Sequence, residues 1–364
     1  MRIIWVVRPA EGGIVQHLKR LLKGIPDFDI VVVAPLELQE LAGERRFIPL
    51  DLVDGLKPRR DLGAVRKLRK FLRQEKGSVI HAHGLKAALV TAAALAPVRH
   101  PRFLFTAHNS LPQASSRVTQ WGANVVQRWM FGCMNTIISV SDAVRSQIIC
   151  HVPERKVLTI YNGIAASDFD NHVADASRTA LGLSADDQIV GTVARLIPEK
   201  GVGTLLEAMS LIARIVPRSH LIVVGDGPER VRLEQYASGL GLDGRVQFLG
   251  WREDVPTLMA GWNCFALPSL SEGFNLSVLE AMASRLPVVV SDLPALREAV
   301  VPGRGGLLVR PGSAPDLAAA LLHVLKAPER AKAMGEFNRS RVDAYFGEER
   351  MVRCIKALYE GLMT

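Results

Sequence analysis

Two parallel-sheet α/β domains in tandem are what this chain predicts, and three observations carry the prediction. Short apolar runs of strand length alternate with helix-length spacers twice over, first from Ile3 and again from Ile189. Between the two series, residues 165–188 turn polar and lose sustained periodicity, apart from a short helical stretch near Ala176–Leu181. Several strands end in His, Ser or Asn, which sets polar groups at the carboxyl edge of a parallel sheet, where open sheets of this kind bind ligands. The predicted division is a first domain over 1–165, a linker over 166–188, a second domain over 189–345 and a C-terminal helix over 346–364.

The bulk properties fit that division. A chain of 364 residues is long enough for two cores, and 48% hydrophobic content with 22% charged residues excludes a disordered or low-complexity class. Cys133, Cys150, Cys264 and Cys354 lack metal-like spacing, which predicts buried thiols in a reducing, cytoplasmic setting. Met1–Pro9 reads as a first strand rather than a signal peptide. Ala87–Val98, the longest apolar stretch, falls short of the roughly 20 residues that a spanning helix needs. Net charge is +9, unevenly placed: residues 1–165 hold 24 Lys+Arg against 12 Asp+Glu, while the remainder is slightly acidic. The first half is therefore expected to meet something anionic.

In chain order, Ile3–Val7 leads through Glu11-Gly12-Gly13 into a helix carrying His17, then to the strand Ile30–Ala34. The paired glycine lets backbone approach a ligand in front of a helix N-terminus, and a tight strand-to-helix turn explains it equally well. Residues 57–76 form a basic amphipathic helix, with Leu62, Val65, Leu68 and Leu72 at helical spacing among Arg66, Lys67, Arg69, Lys70 and Arg73. Adhesion to an anionic membrane leaflet and an ordinary solvated crossover helix both fit it. Three strand ends follow: Val79–Gly84 with His81 and His83, Phe103–Asn109 with His108 and Asn109, and Thr136–Asp142.

The second series runs Ile189–Val193, Leu221–Val224, Val246–Leu249, Cys264–Leu267 and Pro287–Val290. Its loops carry the chemistry. Arg195 and Lys200 after the first strand fit a diphosphate clamp, with Arg forking onto phosphate oxygens and Lys acting as a point charge, and two solvated surface charges are the plainer alternative. Gly225 opens a glycine turn, and Gly250-Trp251 offers a shelf on which a flat base can lie. After Cys264–Leu267 comes Glu272-Gly273-Phe274-Asn275-Leu276, then a mostly apolar helix through Ala283 in which Glu280 is a polar exception. A carboxylate on such a helix is costly unless something hydrogen-bonds it, so Glu280 is expected to face a ligand such as a pair of vicinal hydroxyls.

These residues together resemble the retaining glycosyltransferases of family 4, whose Glu-x7-Glu signature matches Glu272 to Glu280. The resemblance implies the GT-B fold, with two Rossmann-like domains facing a central cleft and the C-terminal helix crossing back to the first. It implies sugar transfer from a nucleotide-diphosphate sugar, UDP foremost, to an acceptor hydroxyl on a lipid-linked or cell-envelope glycan. By resemblance Glu280 holds the ribose hydroxyls, Glu272 faces the donor sugar, and Arg195 and Lys200 neutralise the diphosphate. Phe274, Asn275 and Leu276 cradle sugar and phosphate, Gly12-Gly13 lie near the phosphates, and His108 stands beside the reacting sugar. His17, His83 and Asn109 are acceptor-side candidates.

Three positions depart from the family pattern: Asn275 and Arg285 replace glycines, and Ala165 stands where Asp often follows Asn-Gly-Ile. The triplets Asp27-Phe28-Asp29 and Asp168-Phe169-Asp170 read as turn or surface features, so neither a metal nor another cofactor is expected. The expected location is cytoplasmic, peripheral at the inner face of the membrane. An epimerase acting on a nucleotide sugar is the alternative on the same architecture. Nucleic-acid binding is set aside because no aromatic platform or reader motif accompanies the charge.

Overall fold

The computed structural model describes residues 2–10, 12–55, 57–75, 77–96, 102–111 and 117–363. It divides into two compact units, 1–162 with 349–364, and 163–348.

The first unit is built on a seven-stranded parallel sheet. Its strands are β1 (Arg2–Val7), β2 (Asp29–Ala34), β3 (Phe47–Pro49), β4 (Val79–His83), β5 (Phe103–Ala107), β6 (Thr136–Ser139) and β7 (Val157–Thr159), in spatial order β3-β2-β1-β4-β5-β6-β7. The central strands are buried along almost their whole length, as expected of a sheet covered on both faces, and this is why they read as unbroken apolar runs. Strand order reverses between β1 and β4, whose register sets Val7 beside His83. The sequence reading did not single out β3, a three-residue edge strand with little periodicity to show.

Helix α1 (Gly13–Gly24) buries Ile14, His17, Leu18, Leu21 and Leu22 at helical spacing. Helix α2 (Pro58–Gln74) is the basic helix, with Pro58 in its first turn where a missing N–H costs nothing; Lys76 lies outside the described residues. Its buried line is Ala64, Leu68 and Leu72; Leu62 lies off that four-residue spacing and is exposed, contrary to the expected stripe. Helices α3 (Leu85–Leu95) and α4 (Arg117–Gly132) follow in the same unit. None of the described helices is long and apolar enough to cross a membrane.

The second unit carries a six-stranded parallel sheet of β8 (Gln188–Val193), β9 (Ser219–Val224), β10 (Val246–Gly250), β11 (Cys264–Leu267), β12 (Val288–Ser291) and β13 (Gly306–Val309), in spatial order β10-β9-β8-β11-β12-β13. Its reversal falls between β8 and β11. Helix α5 (Val202–Ala213) packs its apolar side on the core. Helix α6 (Leu276–Ala283) follows β11 and is buried at Leu276, Val278, Leu279 and residues 281–283.

Residues 163–188 are not a free linker. They pack within the second unit, where Ser177 donates to the Leu258 carbonyl at 2.9 Å and Arg178 donates to the Ser184, Ala185 and Asp187 carbonyls. Polarity there comes from side chains that tie the segment down, which periodicity alone does not reveal. The Asp168-x-Asp170 triplet is also structural: Arg339 forks onto Asp170 at 2.7 and 2.9 Å, and Arg285 reaches it at 3.2 Å. Those two guanidiniums hold the Asp170 carboxyl down at about 2. Arg285 adopts φ 56°, the left-handed conformation that glycine usually takes after a helix.

Helix α7 (Glu348–Met363) closes the chain, and residues 349–364 belong to the first unit. Met351, Ile355 and Tyr359 enter the core formed by β1, β2 and α1. Gly24 permits the approach, because a Cβ there would lie 2.6 Å from a Val352 methyl. The thiols depart from expectation: Cys264 is buried, but Cys150, in the turn after the helix Asp142–Ile148, and Cys354, on the outer side of α7, are exposed, so an apolar run in sequence is not by itself a buried face.

Candidate functional site

In the second unit the four loops leaving β8, β9, β10 and β11 are laced together at the carboxyl edge of the sheet. Leu196 N–H donates to the Asp226 carbonyl at 2.9 Å, Gly225 N–H to the Gly250 carbonyl at 2.7 Å, and Leu270 N–H to the Glu199 carbonyl at 2.7 Å. Glycine is required at these crossings: a Cβ on Gly225 would stand 2.0 Å from the Ala194 carbonyl oxygen, and one on Gly201 2.2 Å from that of Pro268. Loops from β8 and β11 meet where the strand order reverses, the position at which open α/β sheets bind ligands.

At that point the Glu272 side chain is only 6% exposed, and its Oε1 accepts from Lys200 Nζ at 2.7 Å, Ser269 Oγ at 2.7 Å and Asn275 Nδ2 at 2.9 Å. Asn275 has two tasks. Its Oδ1 also accepts from Val278 N–H at 3.2 Å, capping the N-terminus of α6. A glycine there would do neither. Gly273, Phe274 and Leu276 are buried around this cap, while Phe274 packs on Phe346 with ring centroids 5.4 Å apart. Lys200 is therefore braced by a carboxylate rather than standing beside Arg195 as one of two equivalent cations; Arg195 is exposed on the same loop. Glu280 is half-buried on α6, and Trp251 is exposed beyond Gly250.

In the first unit the histidines gather at the corresponding edge. His83 ends β4, His108 follows β5, and α1 brings His17 to them. His83 Nδ1 lies 3.3 Å from His108 Nε2, so one imidazole donates to the other. His17 meets His108 edge-on with centroids 4.8 Å apart, and His81 lies against His83 at 4.0 Å. Burial dominates their protonation. It lowers His17 to about 4, with the nearby Asn162 amide offsetting only part of the effect, and His81 to about 3. His83 and His108 are also pushed well below 6.5 by burial, with the neighbouring histidines adding to it. All four are neutral near pH 7.

His17, His83 and His108 each offer a ring nitrogen within 4.8 Å of the others, the one grouping among the described residues with metal-ligand spacing. The sequence reading did not see it because the three are far apart in the chain. Of the acceptor-side candidates, His17 and His83 are enclosed, whereas Asn109 is exposed. Gly12 and Gly13 are exposed at the start of α1, and Gly12 takes φ 57° with open space above it.

Comparison with known proteins accounts for nearly the whole chain. Residues 173–341 match the family model for glycosyl transferases group 1, and residues 11–168 that for Glycosyltransferase Family 4. The lipopolysaccharide core biosynthesis mannosyltransferase LpcC of Rhizobium leguminosarum bv. viciae is 30% identical over 244 residues, 65% of this chain and 67% of that protein. The chain belongs to glycosyltransferase family 4.

Another relative of this family 4 protein is the UDP-Gal:alpha-D-GlcNAc-diphosphoundecaprenol alpha-1,3-galactosyltransferase of Escherichia coli, 29% identical over 247 residues, which are 64% of this chain and 62% of that enzyme's length. Among solved structures, Anabaena Alr3699/HepE in complex with UDP and glucose superposes with a TM-score of 0.84 at 23% identity, covering 99% of each chain. The fold is thus the GT-B fold of two Rossmann-like parallel-sheet domains. Of the residues named from the sequence, Lys200, Glu272 and Asn275 are brought into direct contact, while the Ser269 hydroxyl and the bridging position of Asn275 were not foreseen. The signal for Asn275 was present: an N-cap residue three positions before a helical N–H and three after a glutamate.

Proposed function

We propose that the protein transfers a glycosyl group from a nucleotide-diphosphate sugar, with UDP as the nucleotide, to a hydroxyl of a lipid-linked or cell-envelope glycan, with retention at the anomeric carbon. The observation that carries this reading is the Lys200–Glu272–Asn275 constellation at the capped N-terminus of α6, set where the second sheet reverses its strand order. A helix N-terminus and a braced lysine suit the departing diphosphate, whose developing charge they neutralise together with the exposed Arg195. In this reading no metal ion is needed for leaving-group departure.

Glu280 receives the ribose hydroxyls, Gly250 and Trp251 support the base, and Gly225 leaves room for backbone approach. Glu272 orients Lys200 and, with residues 273–276, shapes the donor-sugar site. Gly12, Gly13 and the buried His17 serve the phosphate side, and the neutral His108 hydrogen-bonds the reacting sugar. No carboxylate stands out as a covalent nucleophile, so the acceptor hydroxyl attacks on the face the diphosphate leaves. The E. coli relative's lipid diphosphate acceptor and the basic α2 both support a lipid-linked acceptor and a place at the inner membrane face.

A thermal-shift screen across UDP-, GDP- and ADP-sugars tests the donor, since a ligand of the folded state raises the melting temperature. NMR of the products then tests the reaction. A new α-glycosidic signal with a polyprenyl-diphosphate sugar supports transfer; conversion of the donor sugar to its epimer without acceptor refutes it.

A further inference from the structure

Helix α4 is turned the opposite way from a helix that serves only its own core. Trp121 (71% exposed), Val125, Val126 and Trp129 (45% exposed) lie on its outer face with Arg128. Its inner face buries Met130 and Phe131 but also Gln127, and holds Gln120 and Asn124 part-buried and bonded to each other at 2.9 Å. In water the larger apolar side chains belong inside. Two tryptophans outside, about two helical turns apart, make with Val125 and Val126 a continuous apolar stripe that folding does not explain.

The neighbours of α4 indicate what covers it. Helix α3 packs against both α4 and α2. Helix α2 exposes Arg59, Arg60, Arg66, Lys67, Lys70 and Arg73. An aromatic stripe and a basic stripe thus flank one helix in the half of the chain whose net charge is positive. We propose that the outer face of α4, with α2, docks on an anionic lipid leaflet. Trp121 and Trp129 sit at headgroup depth, where an amphipathic ring is favoured, and Val125 and Val126 reach the acyl boundary. Arg128 extends its stem along that boundary and its guanidinium to the phosphates, and the α2 cations supply the longer-range attraction. A second copy of the same face is the poorer occupant, because it brings the two basic stripes together.

The inference deepens the lipid-acceptor reading above, and its test is independent of it. Flotation is run with phosphatidylcholine vesicles and with vesicles containing about 30 mol% phosphatidylglycerol. Quenching by brominated acyl chains is recorded in parallel. The wild type is expected to float with the anionic vesicles and to lose tryptophan emission to bromine. The Trp121→Gln/Trp129→Gln protein is expected to partition about ten-fold more weakly and to lose the bromine quenching. Both changes are at exposed positions, and an unchanged melting temperature confirms the fold. Arg66→Glu/Lys70→Glu is expected to weaken binding mainly at low salt. Equal partition of wild type and double-tryptophan variant overturns the proposal. So does a dimer, seen by light scattering, that the tryptophan changes dissociate. Flotation that persists where no UDP-sugar shifts the melting temperature supports the docking face and counts against the transferase reading alone.

Discussion

Lys200 Nζ sits 2.7 Å from Glu272 Oε1, on a carboxylate that is nearly enclosed. Removing one partner of such a pair leaves a buried charge, so Lys200→Ala is expected to destabilise the protein by about 2–3 kcal/mol, below the fully buried range because Lys200 keeps some solvent. The double change Lys200→Met/Glu272→Gln removes both charges and is expected to recover most of that loss in urea unfolding. Transfer is expected to stay near background in both proteins. Recovery of activity with stability would show that Lys200 serves the fold and not the diphosphate.

In the proposed reading, Arg195 and Glu280 serve the two ends of the donor. Arg195→Ala is expected to lower kcat on the order of 10²–10³-fold, the usual cost of one group that stabilises leaving-group charge. Glu280→Ala is expected to raise the donor KM about ten-fold with a smaller fall in kcat, because ribose contacts are made before and during reaction. Steady-state kinetics with the donor identified by thermal shift would read both. A wild-type KM in Glu280→Ala would remove this residue from the ribose site.

The parts of this site that were legible in the sequence are those whose signal is local. Glu272 and Glu280 share one segment, and Arg195 and Lys200 share one loop. The laced loops were inferred only as a common sheet edge, since the Gly225–Gly250 and Glu199–Leu270 contacts depend on strand order, which no single stretch encodes. The histidine group was illegible as a group for the same reason. Alternating strand and helix patterns exposed most of both sheets, whereas the edge strand β3 and the packed segment 163–188 were hidden by shortness and polarity. The outward tryptophans of α4 were invisible because periodicity shows an apolar stripe without saying which way it faces.

Acid should loosen the first unit. His17 and His81 ionise in the folded state only at about 4 and about 3, while the unfolded chain takes up protons near 6.5. Below pH 6.5 the unfolded state therefore binds more protons. Stability is complete above that value and falls as pH drops toward 4, by up to about 1.4 kcal/mol per pH unit for each histidine fully engaged. Urea midpoints between pH 7.5 and pH 5 should decline steeply, and His81→Gln should flatten the decline. A profile flat to pH 5 would show that these imidazoles gain water or protons without unfolding.

Tyr359 is the clamp that holds α7 to the first sheet. Trp5 Nε1–H donates to its hydroxyl at 3.0 Å, and that hydroxyl lies 2.6 Å from His81 Nδ1, whose Nε2 is 2.7 Å from Thr106 Oγ1. Since Trp5 can only donate, the tyrosine proton is best used on His81 Nδ1, which leaves His81 protonated at Nε2 and donating to Thr106. Burial raises the Tyr359 hydroxyl well above its ordinary range, so it remains a donor at any working pH. Tyr359→Phe keeps the packed ring but strands the indole N–H and the imidazole nitrogen. Its expected cost is about 2–4 kcal/mol, from two buried groups at about 1–3 kcal/mol each with some relaxation. Thermal unfolding would measure the loss, and limited proteolysis should cut within 349–364 faster than in the wild type. In a double-mutant cycle, Trp5→Phe should cost less in the Tyr359→Phe background than alone, because the indole then has no acceptor left to lose.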